Sequence, residues 1–284
     1  MDAAHFAADL LDKIGVTVGG SGPADIHIHD DRFFKRVIRD RELGLGEAYQ
    51  EGWWTANRLD EFLAVAQETN LADHVKPSPA LLKLALQSRF GNRQDEKKAK
   101  KNAQAHYDIG NDLFERMLDK RMIYTCAYWR DAENLDAAQE AKLDLICRKL
   151  GLEPGMRLLD IGCGWGSMVR YAARRGVHVI GVTLSAEQAQ WAQQAIIDEG
   201  LSEFAEVRHS DYRDVTEDEF DAVSSIGLTE HIGIQNYPSY FKFIRSKLRD
   251  GGILLNHCIT RSNNVSRGKA GPFIDRYVFP DGEL

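Results

Sequence analysis

The chain has 284 residues, of which 43% are hydrophobic and 28% charged, and its formal net charge at pH 7 is -7. This balance predicts a globular protein of one or two domains, and the negative charge excludes wholesale nucleic-acid binding, which needs a basic surface. The four cysteines lie far apart and form no CxxC pair, which argues against a disulfide framework or a metal site and favours a reducing compartment.

The N-terminus has no basic segment before an apolar run, so it does not resemble a signal peptide. The chain also lacks a run of about 18 apolar residues, the length needed to span a membrane. We therefore expect a cytoplasmic protein.

The N-terminal third contains short elements separated by turns. Apolar residues at helical spacing predict a helix over residues 3–14. An alternating run at Asp25–His29 predicts a short strand, and Phe33–Ile38 has the pattern of a helix. Trp53 and Trp54 lie beside a turn, where they can fill a small core or anchor at a lipid interface, and their spacing favours the core.

A basic segment at residues 83–101 separates two regions of different pattern. It holds seven lysines and arginines against two acidic residues. It is either a solvated linker or a patch attracted to anionic lipid headgroups, an attraction of about 1 kcal/mol per charge. We predict an N-terminal helical domain at 1–88, a basic linker at 89–104 and a second domain at 105–284.

From Arg157 onward, strands alternate with helices, the pattern of a parallel sheet covered on both faces. The predicted strands are Arg157–Ile161, His178–Val182, Ala205–His209, Phe220–Ile226 and Gly252–His257, and the predicted helices cover 167–175, 187–199 and 237–248. Open parallel sheets bind ligands at the carboxyl ends of their strands. The loops after these strands are therefore the candidate site.

Glycines follow the first of these strands at every second position, in the segment DIGCGWG at 160–166. Glycine allows tight turns and lets a ligand approach the backbone closely, and this spacing differs from the dinucleotide pattern GxGxxG. A nucleoside methyl donor has no phosphate to bind, so a loop with an acidic residue suits its cationic methionine part. We predict that Asp160, Gly162 and Gly164 bind such a cofactor.

The second strand is followed by Thr183, Leu184, Ser185 and, three residues later, Gln188. Two interpretations of this segment stay open. Ser185 with Gln188 fits a capping box at the start of a helix. Alternatively the segment is a cofactor contact, in which Thr183 and Gln188 bind the hydroxyl groups that an acidic residue binds in dinucleotide enzymes.

Polar residues also follow the third, fourth and fifth strands. Asp211 is a candidate partner of an adenine amino group and Tyr212 a stacking surface, unless the two form a surface turn. Glu230 follows the fourth strand, and His257 ends the fifth. Three consecutive strand ends that bring polar residues to one edge indicate a binding site.

Several motifs along the chain occur together in one protein family. The most specific are YTCAYW at 124–129 and GCGWG at 162–166. The others are ADI at 24–26, FFKR at 33–36, GLGE at 44–47, GWW at 52–54, HYDIGN at 106–111, GVTLS at 181–185 with Gln188, and EHIG at 230–233. Together they resemble the cyclopropane-fatty-acyl-phospholipid synthases along nearly the whole chain.

The resemblance implies transfer of the methyl group of S-adenosylmethionine to a cis double bond in an acyl chain of a membrane phospholipid. An alkene is a weak nucleophile, so the sulfonium must be held in line with the π bond in a dry pocket. Aromatic faces can stabilise the resulting carbocation, which closes to a cyclopropane ring after it loses a proton. The candidate aromatic residues are Tyr107, Tyr124, Tyr128 and Trp129.

By the same resemblance, the base that removes this proton is a bound bicarbonate ion. Its implied ligands are Cys126, Glu230, His257 and the backbone of Ile259. A carboxylate beside bicarbonate brings two like charges together, which favours a shared proton. The implied contacts of S-adenosylmethionine are Tyr124 and Thr125 together with Gly162, Gly164, Thr183 and Gln188.

The implied fold is an α/β, Rossmann-like class I methyltransferase sheet, preceded by a small, mainly helical N-terminal domain that docks on the membrane and supports homodimers. The protein would then associate peripherally with the inner face of the cell membrane. Members of the family continue beyond the match at Phe279–Gly282. We therefore expect an incomplete sheet of about five parallel strands with an unpaired apolar edge.

Three alternatives to a cyclopropane synthase stay open. A relative from the same family makes a methyl or methylene branch. A methyltransferase for a soluble small molecule shares the loop at 160–166 but not the N-terminal motifs. The third alternative is not an enzyme but an inactive, truncated protein that binds lipid or cofactor.

Overall fold

The computed structural model describes residues 11–69, 111–260 and 271–278. Contacts divide the chain into two compact units, formed by residues 1–91 with 269–278 and by residues 92–268 with 279–284. The basic segment at 83–101 lies outside the described residues, as do the predicted linker at 89–104 and most of the helix predicted at 3–14.

Among its described residues, the first unit combines a small antiparallel sheet with two α-helices and a short π-helix (Ile274–Val278). Strand β1 (Ile26–Ile28) pairs with strand β2 (Trp54–Ala56), which confirms the short strand predicted at Asp25–His29. Helix α1 (Arg32–Gln50) includes the predicted helical segment and continues past a break at Arg41, whose φ is 53°. Helix α2 (Leu59–Glu68) follows β2.

Trp54 is at the centre of the core of the first unit. Its side chain is buried against the rings of Phe33 and Phe62, and its indole N–H donates to the carbonyl oxygen of Leu45 at 2.9 Å. Trp53 is half-buried and packs against the same cluster. The prediction that the tryptophan pair fills a small core is therefore confirmed.

The second unit contains five strands and five helices among the described residues. The strands are β3 (Arg157–Ile161), β4 (His178–Thr183), β5 (Ala205–His209), β6 (Phe220–Ile226) and β7 (Leu248–His257). The helices are α3 (Asn111–Met117), α4 (Leu135–Leu150), α5 (Ser167–Ala173), α6 (Ala186–Asp198) and α7 (Tyr237–Lys247). All the strands are parallel, in the order β5-β4-β3-β6-β7. This confirms the predicted α/β class.

Strand β7 begins earlier than the sequence predicts. It starts at Leu248 rather than at Gly252, because Leu248 pairs with Phe220 and the register shifts between Phe220 and Ala222. The intervening glycines have the composition of a turn, and Gly251 has a φ of 78°. They form an irregularity within the strand instead of ending it.

The sheet is buried on both faces by helices. Leu158 of β3 packs with Leu143 and Ile146 of α4, whereas its neighbour Leu159 packs on the other face with Tyr240 of α7. Because both faces are covered, the consecutive residues from Leu158 to Ile161 are all buried, and apolar and polar residues do not alternate along β3. The strand order reverses beside β3, which β4 and β6 flank. Such a reversal is where open parallel sheets bind ligands.

Helices long and apolar enough to cross a membrane do not occur in the described ranges.

Candidate functional site

The glycine loop after β3 has open space beside it. Gly162, Gly164 and Gly166 have φ values of 74°, 56° and 70°, a left-handed conformation that side chains disfavour. A Cβ atom added to Gly162 would lie 3.0 Å from the side chain of Leu228, but one added to Gly164 would meet no atom of the described residues within 4 Å. The backbone at Gly164 therefore borders a space that a ligand can enter, as the cofactor prediction requires.

Asp160, just before this loop, is a buried carboxyl group with one close partner. The hydroxyl of Ser224 on β6 donates to Asp160 Oδ1 at 2.6 Å. Burial raises the pKa of Asp160 to about 6, against the opposing influence of the Ser224 hydrogen bond and of Lys142. The carboxylate form is thus less favoured than in an exposed aspartate, and a cation that comes close would stabilise it.

At the end of β4, the two interpretations of the segment after the strand are compatible. Ser185 is the N-cap of α6, because its hydroxyl accepts a hydrogen bond from the backbone N–H of Gln188 at 3.2 Å. The hydroxyl of Thr183 donates to Gln188 Oε1 at 2.8 Å, and the carbonyl oxygen of Leu184 lies 3.2 Å from Nε2 of His209. Ser185 therefore caps the helix, and the cap holds Gln188 beside Thr183. Cofactor contact by these residues stays a prediction.

After β5, Asp211 is buried and Tyr212 is half-buried. Asp211 is buried, and its two carboxylate oxygens accept hydrogen bonds from the guanidinium of Arg213 at 2.8 and 2.6 Å. The ring of Tyr212 packs against Tyr240 and Phe243, with centroids 5.2 and 5.1 Å apart. The segment is a short 3-10 turn in which Arg213 and Asp214 are exposed, so the turn interpretation fits these two residues but not the buried Asp211. Adenine binding by Asp211 and Tyr212 stays a prediction.

The four predicted catalytic positions come together in two pairs. Cys126 Sγ lies 3.4 Å from His257 Nε2. The carboxylate of Glu230 is buried, and its Oε1 accepts a hydrogen bond from the backbone N–H of Ile259 at 2.7 Å. The ends of β6 and β7 are joined, since the N–H of Gly227 donates to the carbonyl oxygen of His257 at 2.8 Å.

The arrangement fits a small anion that carries a proton of its own. Glu230 Oε2 is buried and has no hydrogen-bond partner within the described residues, so it requires a donor. The hydroxyl of a bicarbonate ion is such a donor, and the thiol of Cys126 and an N–H of His257 can donate to the other oxygens of the ion. Ile259 differs from the expectation in that its N–H already donates to Glu230.

Three of the four candidate aromatic residues lie between α3 and α4. The rings of Tyr124 and Trp129 are exposed, and that of Tyr124 packs edge-on against Phe114 with centroids 5.4 Å apart. Tyr128 is half-buried, and Tyr107 lies outside the described residues. Which of these rings faces a substrate stays a prediction.

Two residues that the sequence analysis missed hold Thr125 in place. Gln139 Nε2 donates to the carbonyl oxygen of Thr125 at 2.9 Å, and Lys142 Nζ donates to its hydroxyl at 2.8 Å. Both lie on α4, three residues apart, so they share one face of the helix. This spacing was visible in the sequence, but a glutamine and a lysine in an amphipathic helix usually indicate a solvated face.

No group of three His, Cys, Asp or Glu side chains in the described part of the chain is arranged to hold a metal ion.

Residues 94–284 match the family described as mycolic acid cyclopropane synthetase. A cyclopropane-fatty-acyl-phospholipid synthase of Escherichia coli is 46% identical over 285 aligned positions, which cover 99% of this chain and 72% of that protein. The chain belongs to this family. A probable fatty acid methyltransferase of Mycobacterium tuberculosis is 68% identical over 180 residues, which are 63% of this chain but only 42% of that protein.

Solved structures of the family share the fold. The cyclopropane synthase MmaA2 of Mycobacterium tuberculosis superposes with a TM-score of 0.59 and 35% identity, over 68% of this chain and 71% of that one. The mycolic acid cyclopropane synthase CmaA1, in a complex with SAH and CTAB, superposes with a TM-score of 0.57 and 37% sequence identity, over 65% of this chain and 69% of that one. The chain is therefore a member of a family of S-adenosylmethionine-dependent lipid methyltransferases, as the sequence motifs predict.

Proposed function

We propose that the chain transfers the methyl group of S-adenosylmethionine to a cis double bond of a phospholipid acyl chain and closes a cyclopropane ring there. The observation that carries the proposal is the presence of two sites at one edge of the same sheet. One is the glycine loop with open space at Gly164. The other consists of the Cys126–His257 contact and of Glu230, which is bound to the backbone of Ile259, two residues after His257, and has a buried carboxylate oxygen that requires a donor.

The residues at the ends of β3 and β4 bind the methyl donor. S-adenosylmethionine, when bound, supplies a methyl group made electrophilic by its sulfonium. Gly164 lets the donor approach the backbone, and Asp160 faces its cationic amino-acid part. The Thr183 and Gln188 side chains, fixed by their mutual hydrogen bond, offer polar contacts to its hydroxyl groups. A donor held at several points is oriented for in-line attack.

The residues at and after the ends of β6 and β7 form the site at which the methylated acyl chain loses its proton. Bicarbonate, when bound, supplies the base that takes a proton from the methylated acyl chain. Cys126 and His257 would hold the ion by donating to it, and Glu230 Oε2 would accept its hydroxyl proton. Because Glu230 is buried and tied to the backbone of Ile259, it would keep the ion in one orientation. The exposed rings of Tyr124 and Trp129 are the candidates for stabilising the cation.

The substrate requires the chain to work at a membrane surface, and we propose that it binds there peripherally. The direct test of the function uses vesicles of phospholipids with cis-unsaturated acyl chains and S-adenosylmethionine labelled on its methyl group. Label should enter the lipid extract, and matched vesicles with saturated chains should remain unlabelled. Label that stays in the aqueous phase, or enters both lipids equally, would contradict methylation of a double bond.

The affinity for S-adenosylhomocysteine should depend on pH through Asp160. Its raised pKa of about 6 means that the empty site holds a neutral carboxyl below that pH and a carboxylate above it. Only the carboxylate attracts the ammonium group of the ligand. We therefore expect the affinity to rise by up to about tenfold per pH unit from about pH 5 to the pKa, and then to level off.

Calorimetric titrations over this range would measure the effect, with Asp160→Asn as the control. The variant should bind more weakly at neutral pH and show a flat profile below pH 6. A profile for the wild-type chain that is equally flat would show that Asp160 does not face the amino-acid part of the ligand.

A further inference from the structure

Lys142 is a cation beside the methyl-donor site that the proposed function does not use. Its ammonium group, half-buried on α4, donates to the hydroxyl of Thr125 at 2.8 Å. The ionisable groups that face it are Cys126, Asp119 and Asp160. Burial lowers the pKa of Lys142 to about 8, and these three groups oppose the change. A lysine that served only as part of a solvated helix face would extend into water instead.

Thr125 is held from three directions. Gln139 Nε2 donates to its carbonyl oxygen and Lys142 Nζ to its hydroxyl. On the opposite side its methyl group packs on Gly227 at the end of β6, where an added Cβ would lie only 2.8 Å from it. A surface threonine needs no such support. The three contacts fix both the position of Thr125 and the direction of its hydroxyl group.

We propose that Lys142 is a positioning residue that acts through Thr125 on the α-carboxylate of the methyl donor. The inference rests on the proposed function, and it adds which residues recognise the amino-acid end of the cofactor. Lysine has donors and no acceptor, so the Thr125 hydroxyl accepts from Lys142 and keeps its own proton for an acceptor. A carboxylate is the acceptor that this charge-assisted donor suits best.

The charges around the site agree with this assignment. The amino-acid end of the donor carries one ammonium and one carboxylate group, and the site provides a group of the opposite sign for each. Asp160 suits the ammonium, and Lys142, through Thr125, suits the carboxylate. Asp119 is the nearby anion that the donor cannot use, because its side chain is fully buried and its Oδ1 accepts the N–H of Ile123 at 2.8 Å.

Truncating the ligand tests the inference. S-adenosylhomocysteine carries the carboxylate, whereas 5′-methylthioadenosine lacks the whole amino-acid end. We expect Lys142→Met to weaken binding of S-adenosylhomocysteine about tenfold, which corresponds to the loss of one charge-assisted hydrogen bond. Binding of 5′-methylthioadenosine should stay unchanged. Lys142→Arg should restore most of the affinity, and Lys149→Met, at an exposed lysine of the same helix, is the matched control.

A pH titration gives a second measurement that a purely structural lysine would not affect. The cation is present below the pKa of about 8 and is lost above it. The ratio of wild-type to Lys142→Met affinity for S-adenosylhomocysteine should therefore fall toward one as the pH rises through 8. The ammonium group of the ligand titrates equally in both proteins and cancels in the ratio.

The outcomes separate this inference from the proposed function. If Lys142→Met weakens both ligands equally, or neither, Lys142 does not act on the carboxylate, and the methyltransferase assignment stands. If the wild-type chain binds neither ligand, the proposed function is wrong, and the inference is wrong with it.

Discussion

Glu230→Gln is expected to lower methyl transfer to lipid about 100- to 1000-fold, the range for loss of a group that handles a proton in the transition state. The glutamine keeps the size of the side chain and an oxygen that can accept from the N–H of Ile259. It replaces the unpartnered carboxylate oxygen with an amide group that donates. An amide cannot accept the hydroxyl proton of a bicarbonate ion.

The same variant should bind S-adenosylhomocysteine within about twofold of the wild-type affinity, because we place Glu230 at the proton site and not at the donor site. Initial rates of label transfer and calorimetric titration measure the two quantities separately. Glu203→Gln, at an exposed glutamate, is the control and should leave both unchanged. Normal turnover in Glu230→Gln would show that the proton is handled elsewhere.

Gly164→Ala is expected to weaken S-adenosylhomocysteine binding by about tenfold or more, since a methyl group would occupy space that the ligand needs and displace its contacts. The added Cβ meets no atom of the described residues within 4 Å, so overpacking of the core does not contribute. The left-handed φ of 56° disfavours alanine by about 1–2 kcal/mol of unfolding free energy.

Gly200→Ala provides a control matched to that substitution. Gly200 has a φ of 67° and also open space around an added Cβ, but it follows α6 at the end away from the site. Both variants should lose similar unfolding free energy in urea titrations, and only Gly164→Ala should lose ligand affinity. Equal affinities in the two variants would show that the donor does not lie against Gly164.

The sheet was predictable because its strands are buried on both faces. In β3, Leu158, Leu159 and Ile161 are apolar and glycines follow the strand, so the sequence indicates both the strand and its end. The bounds of β3, β5 and β6 agree with those predicted. The start of β7 could not be predicted in this way, because the glycines at 251 and 252 carry the signal of a turn. Pairing of Leu248 with Phe220, a contact distant in sequence, keeps them in the strand.

The site was predictable where its residues follow strand ends, because topology brings those ends to one edge. The glycine loop could be expected in this way. The proximity of Cys126 to His257 was expected only from the family resemblance, because Cys126 lies before the sheet, between α3 and α4. The contact of Lys142 with the site could not be predicted, because a lysine inside an amphipathic helix has the same local sequence pattern whether its ammonium group contacts water or a buried hydroxyl. The burial of Asp211 was missed for a similar reason, since its partner Arg213 lies within a polar segment.

The central claim is that this chain adds a methylene group across a double bond of a phospholipid. The most direct measurement is mass spectrometry of the fatty acids after incubation of the purified chain with cis-unsaturated vesicles and S-adenosylmethionine. We expect the fatty acids to gain one carbon and two hydrogens and to lose their reactivity toward reagents that derivatise double bonds. The same gain with a double bond retained would indicate a methylene branch and contradict ring closure. No gain in mass, with S-adenosylhomocysteine still bound, would contradict the lipid substrate.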